Sequence, residues 1–195
     1  MQPFDLKNIY DQNVCIIGKR ASGKTTVVRD ILYRLDIPTA VLYGHEFLEE
    51  YQDVPGIRFI KKWDPKIIDV LVAEQRSKDA QHVVIVLENI LEKEYDTDKI
   101  IDLIMNSRMY KIMIIACIQH PMVIKPYIRH GFNCLFMLNE NNHDMKHKLY
   151  YYCNGAFQTF SSFDKAITDA TADYGCLVIY ESIPYFFKAD LHKKK

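Results

Sequence analysis

Short apolar runs alternate along this chain with longer stretches in which apolar positions recur every three or four residues. The runs at 14–17, 39–43, 57–60, 83–87, 112–118 and 134–138 have the length of strands. Those at 83–87, 112–118 and 134–138 are apolar throughout, as in strands buried on both faces of a parallel sheet. Between them, residues 25–35 set Val27, Val28, Ile31, Leu32 and Leu35 at helical spacing, and Asp36-Ile37-Pro38 closes that helix. Asp64-Pro65 caps and starts a second helix over 65–77, with Ile67, Ile68, Leu71 and Val72 inward. A third, over 97–107, turns Ile100, Ile101, Leu103 and Ile104 to the core, and 142–152 is helical and aromatic-rich. The runs 176–180 and 185–188 predict a hairpin across Glu181–Pro184. Strands alternating with helices predict an α/β domain with a largely parallel central sheet and a C-terminal antiparallel edge hairpin.

Composition narrows the picture. At 195 residues one domain is expected over the whole chain, and there is no internal repeat. Lys plus Arg and Asp plus Glu are 25 each, so the formal net charge is zero. No global field draws the chain to nucleic acid or membrane, and any DNA contact must come from a local basic patch or from several subunits pooled around a pore. No apolar run approaches a membrane span, and the N-terminal MQPFDLKNIYDQN is too polar for a signal peptide. Cys15, Cys117, Cys134, Cys153 and Cys176 show no paired spacing and read as buried free thiols in a reducing compartment.

The strongest motif lies at 14–25. An apolar strand stops at Gly18, and G-x-x-x-x-G-K-[ST] follows as Gly18, Gly23, Lys24 and Thr25. In such a loop Gly18, Lys19, Arg20, Ala21, Ser22 and Gly23 turn backbone N–H groups toward a polyphosphate, and the helix beginning at Lys24, Thr25 and Thr26 points its positive end at the same anion. Lys24 reaches the β- and γ-phosphates, and the Thr25 hydroxyl is a magnesium ligand. The flanking strand and amphipathic helix are the context the motif needs, so the expected ligands are ATP, or another nucleoside triphosphate, and Mg²⁺.

Ligands of parallel sheets bind beyond the carboxyl ends of the strands, where Gly18, Glu88 and Gln119 all fall. Glu88, the acid that follows a doubly apolar run, is either a magnesium ligand and catalytic group or an ordinary polar strand terminus. Gln119 is either a γ-phosphate and water sensor or a solvated loop amide. Arg108, ending a helix, is either an arginine finger for a neighbouring subunit or a dipole-complementing helix end, and Arg129 is a weaker candidate for the finger. His143 and His147 stand four apart, as in a metal pair, with no third ligand evident; solvated helix histidines are the plainer reading. Tyr150-Tyr151-Tyr152 with Phe157, Phe160 and Phe163 form either a base-stacking surface or core packing. Lys61-Lys62 and Lys193–Lys195 are ordinary solvated charges unless a pore gathers them.

GKRASGKT at 18–25, VVIVLEN at 83–89, NSRMYK at 106–111, IIACIQ at 114–119, PYIRHGFN at 126–133 and DYGCLVI at 173–179 together resemble a known family. The chain is similar, over about residues 12–188, to the genome-packaging ATPases of large nucleocytoplasmic DNA viruses, within the FtsK/HerA-like class of P-loop motors. The resemblance implies a RecA/FtsK-like three-layer fold with the sensor strand between the P-loop and Walker B strands. It implies homo-oligomeric rings that hydrolyse ATP to drive double-stranded DNA into a preformed capsid, working in the host cytoplasm or carried in the virion, with capsid or membrane-vertex components as further partners. Lys24 and Thr25 match the Walker A Lys and hydroxyl, Gln119 the polar sensor and Arg108 a trans-acting arginine. One departure stands out: the family's two acids at the Walker B end are here Glu88 and Asn89. Asn89 cannot act as a base, so Glu88 serves alone, hydrolysis is slow, or an acid such as Glu46 or Glu92 supplies the role. Two other functions share the loop: an ATP-binding scaffold with little turnover, and a small-molecule P-loop kinase.

Overall fold

The computed structural model describes residues 1–37, 39–44, 49–61, 64–77, 79–88, 98–153 and 155–191. Asn89, Glu46, Glu92, Lys62 and the basic tail Lys193–Lys195 lie outside the described residues.

The strands are β1 (Gln2–Pro3), β2 (Val14–Ile17), β3 (Thr39–Gly44), β4 (Ile57–Ile60), β5 (Val83–Glu88), β6 (Ile112–Ile118), β7 (Cys134–Met137), β8 (Gly175–Tyr180) and β9 (Ile183–Lys188). The helices are α1 (Lys24–Leu35), α2 (Pro65–Gln75), α3 (Asp98–Asn106), α4 (Pro126–Arg129), α5 (His143–Tyr152) and α6 (Phe160–Thr171). The described strands form one sheet in the order β1-β9-β8-β7-β2-β6-β5-β3-β4. Among them β8 alone runs against the rest, pairing antiparallel with both β7 and β9. Strand β6 lies between β2 and β5, with Ile17 opposite Ile118 and Glu88 opposite Cys117. Gly18, Glu88 and Gln119 therefore reach the same edge.

The two faces of the sheet carry separate cores, because successive side chains alternate across a strand. On one face Ile16, Leu42, Val86, Ile115 and Phe136 pack against Val27, Val28, Ile31 and Leu32 of α1 and against Phe4, Leu6 and Ile9 of the N-terminal segment. On the other, Ile17, Tyr43, Leu87, Ile114 and Met137 meet Leu71 of α2, Leu103 of α3, Leu149 of α5 and Phe163 and Ile167 of α6. Each such aliphatic side chain contributes about 1.5–3 kcal/mol when fully buried. The result is a three-layer α/β domain of the P-loop NTPase type.

Several elements differ from the sequence reading. Helix α6 was not read, although Phe163, Ile167, Ala170 and Thr171 form its buried stripe and the Thr159 side chain caps it by accepting from Ser162 N. The C-terminal hairpin turns on two residues, Glu181 and Ser182, at φ 51° and 60°. This is the left-handed pair that matches strand twist, normally supplied by Asn-Gly. The edge hairpin was read, but the two-residue β1 that adds to β9 in parallel was not; Phe4 N donates to Phe186 O at 2.8 Å. All five cysteines are buried and free, and burial pushes their thiols up, that of Cys176 to about 12.

At the amino ends of the strands, Asn13 ties the layers together. Its amide nitrogen donates to Ile104 O and Gly131 O, both at 2.9 Å, and its Oδ1 accepts from Ile114 N and Ser107 Oγ, both at 3.0 Å. Its backbone carbonyl accepts from Asn133 N and Cys134 N. A buried amide with its bonds made fixes neighbouring segments in one register.

Candidate nucleotide-binding site

The loop between β2 and α1 is held in a conformation that ordinary residues resist. Gly23 sits at φ 99°, and Ala21 adopts a left-handed φ of 59° that costs an L-residue about 1–2 kcal/mol. Gly18 is required by close approach: a Cβ there would stand 2.5 Å from Ser22 Oγ and 3.0 Å from Leu138 Cβ. Leu138 is in turn fixed by its own N–H, which donates to Ile17 O at 2.9 Å. Alternating left- and right-handed residues curl backbone N–H groups into an anion-binding concavity. No side chain caps the N-terminus of α1, which leaves its first N–H groups facing that concavity.

Lys24 is 7% exposed, and its ammonium donates to Gly18 O at 2.7 Å and Lys19 O at 2.8 Å. The loop carbonyls thus hold the charge across the mouth of the nest. Ser22 Oγ is buried and has no hydrogen-bond partner among the described residues, an orphan that an anion would satisfy. Lys19 and Arg20 are exposed at the rim, while Thr25 and Thr26 are half-buried in the first turn of α1.

Glu88 ends β5 with 4% of its surface exposed. Its Oε1 accepts from the Tyr51 hydroxyl at 2.6 Å. Burial pushes the Glu88 carboxyl above the usual carboxylate range; the Tyr51 and Cys117 hydrogen bonds and the Lys24 ammonium pull back, and Glu50 adds to the rise. Tyr51, on the short Glu49–Tyr51 turn, is 2% exposed. The sequence reading did not mark it, because it lies in a polar passage with no motif spacing. The set fits a magnesium-bound triphosphate: a nest and an ammonium for the phosphates, and a hydroxyl with a carboxylate for the cation.

No protein-family model matches the sequence. Among viral relatives, the uncharacterized protein L437 of Acanthamoeba polyphaga mimivirus is 25% identical over 236 residues, covering 100% of this chain and 83% of that one. The uncharacterized protein 075L of Invertebrate iridescent virus 6 is 28% identical over 205 residues, covering 93% of this chain and 79% of the relative. Among solved structures, the genome packaging NTPase B204 of Sulfolobus turreted icosahedral virus 2, in complex with ATP-gammaS, superposes with a TM-score of 0.71 at 15% identity, over 94% of this chain and 100% of that one. The chain has the fold of a genome-packaging NTPase. The pCW3 conjugation coupling protein TcpA, with ATPgS, shares that fold at TM-score 0.67 and 17% identity, over 92% of this chain and 60% of that one. The resemblance of this chain to viral packaging NTPases and their FtsK/HerA-like relatives thus holds across its length at the level of fold.

Within this NTPase fold the remaining sequence candidates separate. Gln119 is half-buried just after β6, beside Gly18, whose N–H donates to Ile118 O at 3.1 Å. Arg108 lies at the opposite edge, exposed on the Ser107–Tyr110 turn that leads into β6. Arg129 is also at that edge. Its Nε donates to Ile124 O at 3.0 Å and its guanidinium sits 3.9 Å from the centroid of the Tyr152 ring, so it is engaged in its own subunit's packing. His147 stacks on Phe160 with centroids 3.6 Å apart and His143 packs edge-on against both, and among the described residues no third ligand joins them. Phe163 is fully buried with Tyr150, Phe157 and Phe160 around it, which is core packing; Tyr151 alone of these aromatics is largely exposed. Among the described residues, no helix is long and apolar enough to cross a membrane.

Proposed function

We propose that this chain is the ATP-hydrolysing subunit of a homo-oligomeric ring that translocates double-stranded DNA into a viral capsid. The observation that carries the reading is the gathering of Lys24, Thr25, Glu88 and Gln119 at one sheet edge, in a fold matching a packaging NTPase over nearly all of both chains. Thr25 and Glu88 are the residues that would hold Mg²⁺, which supplies neutralisation of phosphate charge. Lys24 exchanges its two carbonyl partners for β- and γ-phosphate oxygens, and the nest N–H groups hold the rest of the triphosphate. Gln119 orients water toward the γ-phosphorus; the bond to the bridging oxygen breaks, giving ADP and inorganic phosphate. Arg108 acts on a neighbouring subunit's nucleotide, since its place at the far edge keeps it from its own. With zero net charge on the chain, the DNA track is built from basic groups pooled around the pore. On this reading the ring works in the host cytoplasm at the assembly site or travels with the virion, and docks on capsid or membrane-vertex components.

A second reading, an ATP-binding scaffold with little turnover, is favoured by Glu88 being buried, its carboxyl raised and committed to Tyr51, with Asn89 following it in sequence. An ATPase assay with and without linear duplex DNA, alongside mass measurement at several concentrations, separates the two. The motor reading expects DNA-stimulated turnover by an assembled ring, abolished by Lys24→Ala and sharply reduced by Glu88→Gln. Nucleotide binding without turnover supports the scaffold, and turnover by a monomer that requires a small phosphate acceptor makes the chain a kinase. For Arg108, mixing Arg108→Ala with Glu88→Gln subunits restores part of the activity if the arginine works in trans.

A further inference from the structure

Tyr51 reaches Glu88, the acid that the nucleotide-binding reading assigns to the cation, from a different part of the chain. Its hydroxyl donates to Glu88 Oε1 at 2.6 Å, and both side chains are buried. A phenol carries one proton. That proton is given to the carboxylate, so the bond fixes the direction of Glu88.

The segment that carries Tyr51 is clamped to the helix that carries Thr25. Arg29 of α1 pairs with Asp53 at 2.6 Å, the Tyr33 hydroxyl of α1 donates to Asp53 O at 2.8 Å, and Val54 N donates to Tyr51 O at 3.0 Å. Tyr51 is thus set relative to Thr25 by contacts on one rigid element, which is what a positioning group requires. A carboxylate that ligates a cation through one oxygen is turned by whatever donates to it, and a donor held in place fixes the direction of the ligand.

We propose that Tyr51 is a positioning residue of the magnesium edge: by donating its proton to Glu88, it holds the carboxylate in a fixed direction toward the cation. The proposal rests on the nucleotide-binding reading above. It adds that the strand-end acid is oriented by a phenol whose segment is tied to the helix of the P-loop. The ring alone would fill the space, so removing only the hydroxyl isolates the role.

The test is a binding titration with fluorescent N-methylanthraniloyl-ATP, at saturating Mg²⁺ and again in EDTA, on the parent chain, Tyr51→Phe, Glu88→Gln and the double variant. Tyr51→Phe is expected to weaken binding in Mg²⁺ about tenfold, the lower end for outer partners of metal ligands, and by less than about twofold in EDTA. In the Glu88→Gln background the same change should cost less than about threefold in Mg²⁺, because its route through the carboxylate is gone. Equal losses with and without Mg²⁺, or no loss in Mg²⁺, overturn the proposal and leave Tyr51 a packing residue. A parent chain that binds the nucleotide no better in Mg²⁺ than in EDTA overturns the assignment of the metal edge itself, and the role of Tyr51 falls with it. That result is distinct from a parent with a clear Mg²⁺ effect that Tyr51→Phe retains.

Discussion

Strand β2 is preceded by Asn13 and followed by Gly18, and the chain finishes these two ends in opposite ways. Around Asn13 the buried polar groups answer one another: its side-chain amide binds carbonyls of residues 104 and 131 and accepts from residues 107 and 114. Around Gly18 the matching is incomplete. Ser22 Oγ has no partner among the described residues, Ala21 is held at a left-handed φ, and the Lys24 charge rests on carbonyls of its own loop. Matched internally, buried polar groups make structure; when a strained loop holds its groups for a partner from outside, the same chemistry makes a binding site. The contrast separates what holds this protein together from what it holds.

Substitutions at the two ends should therefore have opposite signatures. The largest effect is expected from Asn13→Ala. It takes the amide from Gly131 O and Ile114 N, leaves Ile104 O with the longer Ser107 Oγ bond at 3.4 Å, and should cost roughly 3–5 kcal/mol in chemical denaturation. Nucleotide affinity of the folded fraction should stay within about twofold, as for independent sites. If affinity falls with stability, the ends are coupled through β2 and the contrast fails. Lys24→Ala should do the reverse. Losing charge-assisted contacts to phosphate lowers nucleotide affinity by about a hundredfold or more in a binding titration, while the unfolding free energy moves by less than about 1 kcal/mol. A large destabilisation would mean that the ammonium is a structural cross-link of the loop. The smallest effect is expected from Ala21→Gly, which relieves the left-handed strain and should stabilise the chain by about 0.5–1 kcal/mol. Denaturation midpoints with and without nucleotide sharpen the comparison further: stored strain predicts a gain in both, and a loss in either would show that the loop conformation is set by its neighbours.

The central sheet was readable because its strands are short apolar runs with nearly continuous burial, and the place of β6 between β2 and β5 followed from the resemblance. Even so, β1 escaped, since two exposed residues carry no pattern and owe their pairing to Phe4 seated against Phe136, Tyr180 and Tyr185. Helix α6 was legible but unread: Phe163, Ile167 and Ala170 have helical spacing, masked by the Ser and Thr residues between them. The two-residue turn at Glu181-Ser182 could not have been named from its residues. Glu and Ser adopt left-handed φ there because the pairing of β8 with β9 leaves only two positions for the reversal.

By itself the sequence determined the glycine loop at 18–25. Strand, glycine spacing, lysine, hydroxyl and helix are contiguous, and a nest of backbone N–H groups is a property of consecutive φ and ψ angles. It also placed Glu88 and Gln119 at strand ends, because a doubly apolar run announces where it stops. Only the tertiary structure decided what stands beside them. Tyr51 meets Glu88 across 37 positions and Asn13 meets Ile104 across 91, and no local pattern encodes either pairing. Arg108 shows the same division. Its helix end could be read from the sequence, whereas its position on the edge opposite the nest follows from the direction in which β6 enters the sheet. Contacts between distant segments are set by how helices and strands pack, and packing selects partners that composition leaves unmarked.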